Sequence, residues 1–311
     1  MPLSAVRAER FSFMALGDTP YTLPRDEAGF GRLIARTNRL KPAFTVHLGD
    51  IKSGDTPCTD EVFQRALEQF NRFEQPLVYT PGDNEWTDCH RANNGGYDPI
   101  ERLATLRRLM YAAPGSLGHS KIPLLHQSVD PKYAKYVENA RWEKAGVVFA
   151  SVHIVGSNNN LQRDQAAVNE YIERNAANLA WISAAFARAR QINALGIVFF
   201  FQADLAYEKE NDQNARSGFN DTLNLFRQQS MAYGKPVLLV GGDRHHLVID
   251  QPLYGPGRRL IINVTRIMVH GDADVHGTLV HIDTDNPDLF SYQPVYIPEN
   301  MPAWKPAAQP K

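Results

Sequence analysis

Four strand-like runs in this chain close on the same two residues: "MALGD" ends at Asp18, "TVHLGD" at Asp50, "VYTPGD" at Asp83 and "LLVGGD" at Asp243. A fifth, "VFFFQAD", ends in Gln202 and Asp204. A single glycine-aspartate after a strand is a turn or a helix cap. A cap has no reason to recur at strand after strand. In an open α/β sheet the carboxyl ends of the strands line the ligand crevice, so the recurrence predicts that these side chains converge. Convergence is electrostatically unfavourable, because two carboxylates about 4 Å apart repel by roughly 4 kcal/mol at an effective dielectric near 20. Such a group of acids either takes up protons or holds cations. A cation is the more economical answer, with protonated or dispersed aspartates as the alternative.

The surrounding pattern agrees with an α/β chain. Runs rich in β-branched and aromatic residues occupy 11–16, 43–48, 77–80, 147–155, 197–201, 237–240, 260–264 and 278–282, and several are continuously apolar, as strands covered on both faces should be. Between them, "DEAGFGRLIARTNRL" places Phe30, Leu33, Ile34 and Leu40 near one helical face, and "TDEVFQRALEQFNRF" does so with Val62, Phe63, Leu67, Phe70 and Phe73. Thr59 is a credible N-cap for the second. The alanine-dense stretch 163–191 ends in "RARQ", a basic end that complements a helix dipole. Strands alternating with helices imply largely parallel pairing. With 311 residues and 43% hydrophobic content the chain can bury a substantial core, and it reads as one domain over 1–311. Residues from about 91 to 144, with "NNGGYDP", "APGSLGHSKIP" and the helix-like "PIERLATLRRLM", are expected to form an insertion over one end of the sheet. The proline-rich end, about 298–311, is expected to be a surface tail that Trp304 could anchor.

Thirty-three basic side chains against 34 acidic ones leave a formal charge of −1, so nothing favours nucleic acid as a partner. No apolar run is long enough to span a bilayer, and "MPLSAVRAERFSF" lacks a continuous apolar stretch of signal-peptide length. The expectation is a soluble protein, cytoplasmic, or periplasmic or secreted if a signal has been removed. Cys58 and Cys89 lie in polar loops outside any zinc pattern. They are either two free thiols or, in an oxidising compartment, a disulfide.

The order of motifs, "GDTP", "GDIKSG", "GDNEW", a strand ending near Gln202, then "GGDRHH", resembles the calcineurin-like metallophosphoesterase superfamily. That family reads D-x-H, GD, GNH with a following acid, a lone histidine, and GHxH. The resemblance implies a four-layer sandwich, two mixed β-sheets flanked by helices, with metals at the edge where strand-end loops meet. Asp18 matches the first aspartate, but Pro20 stands in place of a histidine ligand. Asp50 matches the metal-bridging aspartate. Asp83 replaces the ligand asparagine, Asn84 replaces the catalytic histidine, and Glu85 keeps the final acid. Gln202 holds the lone-histidine place, Asp243 replaces the first histidine of GHxH, and His245 retains the last. The implied metal ligands are thus Asp18, Asp50, Asp83, Gln202, Asp243 and His245. One subsite would use Asp50, Asp83, Gln202 and Asp243; the other, with Asp18, Asp50 and His245, is short of a donor because Pro20 offers none.

Replacing imidazole by carboxylate and amide oxygen moves the expected metal toward Mg²⁺, Mn²⁺ or Ca²⁺ and away from Zn²⁺ or Fe, with one or two ions bound. The implied activity is hydrolysis of a phosphomonoester or phosphodiester, carried by a small phosphorylated molecule, through metal-activated water. Asn84 and His245 are the catalytic candidates, although Asn84 donates a hydrogen bond without transferring a proton. His245, His246 and His90 are the candidate replacement acids, each with a structural reading beside it: His246 pointing into the sheet, His90 merely solvated. Arg244 and Asn84 are the candidate phosphate-binding residues. Arg244 exposed at the surface or paired with Glu85 is the alternative, and Lys52 raises the same choice. In "RIMVHGDADVHGTLVHID", His270, His276 and His281 with Asp272 and Asp274 read as a turn between two strands, outside the metal shell. Loss of the acid and of three histidine ligands also leaves open a non-catalytic protein that binds metal or phosphate, or a hydrolase of another bond.

Overall fold

The computed structural model describes residues 8–21, 25–205 and 217–301. Trp304 and most of the expected tail lie outside them. Strand β1 (Arg10–Leu16) shows how the chain layers itself: Phe13 and Ala15 point into one hydrophobic cluster, Met14 and Leu16 into another, and all four are fully buried. A period of two with both faces apolar demands cover on both sides.

Two sheets supply it. The first has the order β12–β11–β1–β2–β3, where β2 is Phe44–His47, β3 Leu77–Tyr79, β11 Gly277–Asp283 and β12 Phe290–Val295. Strands β1, β2 and β3 are parallel, and β11 and β12 join antiparallel. The second sheet runs β4–β5–β6–β7–β8–β10–β9, from β4 (Leu125–His126), β5 (Ala140–Lys144), β6 (Val147–Ser151), β7 (Gly196–Phe200), β8 (Val237–Gly241), β9 (Val248–Asp250) and β10 (Val264–Met268). Its central strands β6, β7, β8 and β10 are parallel. Both sheets are mixed, as expected.

Between the sheets, Phe13 stacks on Phe44 with ring centroids 5.2 Å apart, and Phe149 and Phe200 meet Phe13 edge-on. The outer face of the first sheet packs on the helices Glu27–Leu40, Asp60–Phe70 and Pro99–Met110 through residues such as Phe30, Phe63 and Leu106. The outer face of the second packs on Gln165–Gln191 and Asn220–Tyr233 through Ile182, Phe186 and Phe226. The result is helix, sheet, sheet, helix. Each large side chain buried this way contributes about 1.5–3 kcal/mol. Thr59 caps its helix, accepting from the Val62 amide at 3.4 Å. The stretch 91–144 supplies the helix Pro99–Met110 beneath the first sheet and the strands β4 and β5 at one edge of the second.

The strand expected at 260–264 is displaced. Val264 begins the real one, in parallel register with Val237 of β8, while Ile262 is 76% exposed on the turn before it. The strand at 147–155 stops at Ser151, because the chain then leaves the sheet, still buried, toward a turn at Gly156–Asn159. Strands β4, β5, β9 and β12 lie at or next to sheet edges and each carries exposed or half-buried positions, so their sequences lack the apolar density that marks the central strands.

Cys58 and Cys89 form a disulfide with their Cα atoms 5.8 Å apart, tying the loop before Asp60–Phe70 to the 3₁₀ turn Thr87–His90. Among the described residues, no helix is long and apolar enough to cross a membrane.

Candidate metal centre

The glycine-aspartate ends of β1, β2, β3 and β8 meet. Single ligand atoms from Asp18, Asp50 and His245 all lie within 4.8 Å of one another, and the same holds for Asp50, Asp83 and Asp243. Asp50 belongs to both triads. Asp18, Asp50 and Asp83 are almost wholly buried, at 0%, 1% and 6% exposure.

Local backbone explains the residue types. Asp18, Asp50, Asp243 and His245 adopt φ of 50°, 54°, 71° and 65°, the left-handed region that short polar side chains tolerate better than bulky ones. The glycines serve as clearance. A Cβ on Gly82 would sit 2.1 Å from Asp50 Oδ1, and one on Gly242 would sit 2.6 Å from Asp18 Oδ2. In these two motifs the glycine makes room for the carboxylate of another, while a Cβ on Gly17 would meet Leu48 and one on Gly49 the backbone of Gly82.

Hydrogen bonds set the orientation of each acid. The Asp243 amide donates to both carboxylate oxygens of Asp18 at 3.0 Å. Asp50 accepts from Asn84 Nδ2 at 2.8 Å, from the Asn84 amide at 3.2 Å and from the Tyr21 hydroxyl at 3.2 Å. Asp83 accepts from Gln202 Nε2 at 3.1 Å and from Ser157 Oγ at 2.8 Å. Behind them Glu85 accepts from the amides of Asp50 and Gly82 and from the Tyr79 hydroxyl.

Electrostatics oppose this gathering. Burial and the charge of Asp243 push the Asp18 carboxyl well above its usual range, and burial with the charges of Asp83 and Asp18 does the same to Asp50. Burial and Asp83 lift Asp243 to about 7. Among the described residues, no lysine or arginine forms an ion pair with any of the four aspartates. The donor set fits a divalent cation: mostly carboxylate oxygen, one imidazole, and negative charge that no ion pair among the described residues offsets, the nearby Lys52 ammonium being given to backbone carbonyls.

Several expected residues stand differently from the arrangement foreseen. Gln202 reaches the second triad, but its amide nitrogen points to Asp83 and its oxygen accepts from the Gly156 amide at 2.6 Å. Asn84 is turned onto Asp50. Arg244 pairs with Asp204 at 3.0 Å and not with Glu85, which is buried behind Asp50. Lys52 is also buried, with Nζ donating to the carbonyls of Asn84 at 2.6 Å and Ser53 at 2.9 Å, so it stiffens the loop and does not face a substrate. His246 is exposed, its Nδ1 2.8 Å from the Arg244 carbonyl, and does not enter the sheet. His90 is exposed too. His270 and His276 cluster with Tyr296 in the loop between β10 and β11, and His281 contacts Gln293; none joins either triad.

Two residues of the centre carry no motif. Tyr21, just after Pro20, places its hydroxyl 2.6 Å from His245 Nε2 as well as beside Asp50. Ser157 joins Asp83 and Asp88. The run "GSNNN" after a buried strand was the available signal, since glycine and asparagine are the residues that accept left-handed turns.

No protein-family profile matches the chain, and no curated protein does. Solved structures do match in fold. A purple acid phosphatase from yellow lupin (Lupinus luteus) seeds aligns with TM-score 0.55 and 10% identity over 97% of this chain, which spans 58% of that one. A dimetal phosphatase from Danio rerio aligns with TM-score 0.53 and 11% identity, covering 91% of this chain and 98% of its own. GAP50, described as the anchor in the inner membrane complex of Plasmodium, aligns with TM-score 0.53 and 10% identity over 93% of this chain and 89% of its own. The fold is the calcineurin-like phosphoesterase fold.

Proposed function

We propose that this chain is a metal-dependent phosphoesterase that hydrolyses a phosphomonoester or phosphodiester of a small molecule. The observation behind the reading is the pair of triads sharing Asp50, one of two aspartates and a histidine and one of three aspartates, mostly buried, without an ion-pair partner among the described residues, and placed at the strand ends of a fold that solved metallophosphatases also have. Asp18, Asp50 and His245 would hold one ion, and Asp50, Asp83 and Asp243 the other, with Gln202 steadying the second set. Oxygen-rich donors favour Mg²⁺, Mn²⁺ or Ca²⁺ over Zn²⁺ or Fe. Bound there, divalent cations supply Lewis-acid polarisation of a phosphoryl group and activation of water.

The chain's own groups divide the remaining work. Burial lowers the pKa of His245, which keeps its ring neutral near pH 7, the form a ligand needs. Asn84 holds the shared carboxylate of Asp50 and has no proton to give a leaving group. Arg244, anchored by Asp204 beside Asp243, is the candidate to bind phosphoryl oxygens. Substrates whose leaving groups depart without protonation are therefore favoured. The disulfide fits an oxidising compartment, periplasmic or secreted.

Nitrophenyl phosphate and bis(nitrophenyl) phosphate, assayed with Mn²⁺, Mg²⁺ or Ca²⁺, test the reading. Turnover should require the metal, exceed that of alkyl phosphates, and fall at least about 100-fold in Asp50→Asn, the equivalent of a few kcal/mol of charge stabilisation. Metal-independent turnover, or an unaffected Asp50→Asn, counts against it. A second reading is favoured by one observation: Asn84 is committed to Asp50 where an acid would act. A non-catalytic protein that binds metal or phosphate would show uptake by calorimetry with no hydrolysis of either ester. The Plasmodium protein with this fold is itself described as an anchor.

A further inference from the structure

Four consecutive residues after β6, Ser157, Asn158, Asn159 and Asn160, have φ of 47°, 51°, 54° and 66°. A left-handed run of this length without glycine holds only when its surroundings fix it. They do. Arg174, fully buried, donates to Asn159 Oδ1 at 2.6 Å and to the Asn159 carbonyl at 3.0 Å. Asn159 Nδ2 donates to the Gly218 carbonyl at 3.1 Å, and the Gly218 amide returns to Asn158 Oδ1 at 2.8 Å. The turn is pressed onto the centre. A Cβ on Gly156 would stand 2.7 Å from Asp83 Oδ2 and 3.0 Å from both carboxylate oxygens of Asp243.

What this rigid turn presents is Ser157 Oγ, 2.8 Å from Asp83 Oδ2 and 2.8 Å from Asp88 Oδ1, with Arg91 2.8 Å beyond Asp88. Gln202 holds the other oxygen of Asp83, and the Gly156 amide in turn holds Gln202. Both donors that orient Asp83 are thus controlled by the one turn. Neither touches Asp18 or His245.

We propose that Ser157 is a positioning residue: its hydroxyl keeps Asp83 facing the Asp50–Asp83–Asp243 triad, so it governs the ion on that side and leaves the Asp18–Asp50–His245 side alone. The proposal rests on the metal-binding reading above. Residues that orient a ligand from behind typically change metal affinity 10- to 100-fold when removed.

The test uses the full chain, Mn²⁺ titration by calorimetry, and two variants. Ser157→Ala removes the hydroxyl. Ser157→Gly removes it while relieving the left-handed backbone, which guards against a variant that merely disturbs the turn. One binding step should weaken about 10- to 100-fold in both variants while the other is unchanged, and the melting temperature of metal-free Ser157→Gly should not fall. Where the chain takes up a single ion, the same weakening is expected of that step. Unchanged affinity in both variants overturns the proposal, as does equal weakening of both steps, or weakening in Ser157→Ala that Ser157→Gly does not share. A wild-type chain that takes up no Mn²⁺ refutes the metal reading itself, a result distinct from failure of the serine's role alone.

Discussion

Glu138 and Asp50 are both carboxylates with essentially no exposure, yet of the two only Glu138 is held in an ion pair among the described residues. Arg107 grips it through two bonds, at 3.0 and 2.5 Å, and His153 Nδ1 lies 2.7 Å away. Burial alone would raise its pKa, but the charge of Arg107 and the bonds from His153 and Arg107 outweigh that and hold Glu138 far below the usual range. Glu170 is treated alike by Arg174, at 2.7 and 3.1 Å. Asp18, Asp50 and Asp243 move the other way, because burial and neighbouring carboxylates raise them and, among the described residues, no ion pair offsets the rise. One chain thus buries acids in two manners. Where guanidinium answers the acid, as at Glu138 and Glu170, the purpose is architecture: Arg174 also pins the turn that carries Ser157. Where no ion pair answers it, as at Asp18, Asp50 and Asp243, the carboxyls stay raised and can hold either a proton or a cation.

That contrast should appear first in stability. Arg107→Ala leaves a buried carboxylate without its main partner and should lower unfolding free energy by about 3–5 kcal/mol in urea titrations, equally with and without Mn²⁺. A loss that Mn²⁺ repairs would place Glu138 with the metal centre and erase the distinction. Next in size is the response of the acid triads: Mn²⁺ at a hundred times its dissociation constant should stabilise the wild type by about 2.7 kcal/mol. Asp50→Asn should lose most of that gain and, metal-free at pH 8, be no less stable than wild type, since it removes a repelling charge. If the metal-free variant proved clearly weaker, the uncompensated state of Asp50 would be in doubt.

The smallest effect is a slope. With Asp243 raised to about 7 from an unfolded carboxylate value near 4, the native state of the metal-free protein holds protons that the unfolded chain has released. The stability it contributes is complete below about pH 4 and is lost as pH rises through about 7, by up to about 1.4 kcal/mol per pH unit for one group. Glu138 behaves oppositely, its share being lost only in strong acid. Thermal melts of the chelator-treated protein between pH 5 and 8 should fall with pH, and Mn²⁺ should flatten or invert that trend. A rising trend without metal would contradict the sign.

Much of this was legible in the residues. Central strands announced themselves by continuous apolar runs, and the convergence of Asp18, Asp50, Asp83 and Asp243 followed from a dipeptide that recurred where strands ended. What the sequence hid is non-local. That Gly82 clears space for Asp50, and Gly242 for Asp18, is a relation between positions 32 and 224 residues apart that no spacing rule encodes. Tyr21 looked like a loop aromatic because its role depends on His245 across the sheet. Arg244 looked able to reach Glu85, but Asp204 was nearer and Glu85 lay beneath Asp50. The edge strands escaped notice since they mix buried with exposed or half-buried positions.

The most direct test is calorimetric titration of the chelator-treated full chain with Mn²⁺ near pH 7, in two buffers of different ionisation enthalpy so that protons are counted with ions. Uptake of one or two ions per chain, with release of protons as Mn²⁺ displaces them from the raised carboxyls, is the outcome this account requires. Absence of both uptake and proton release would mean that the aspartates settle their repulsion among themselves, and the centre described here would not be a metal centre.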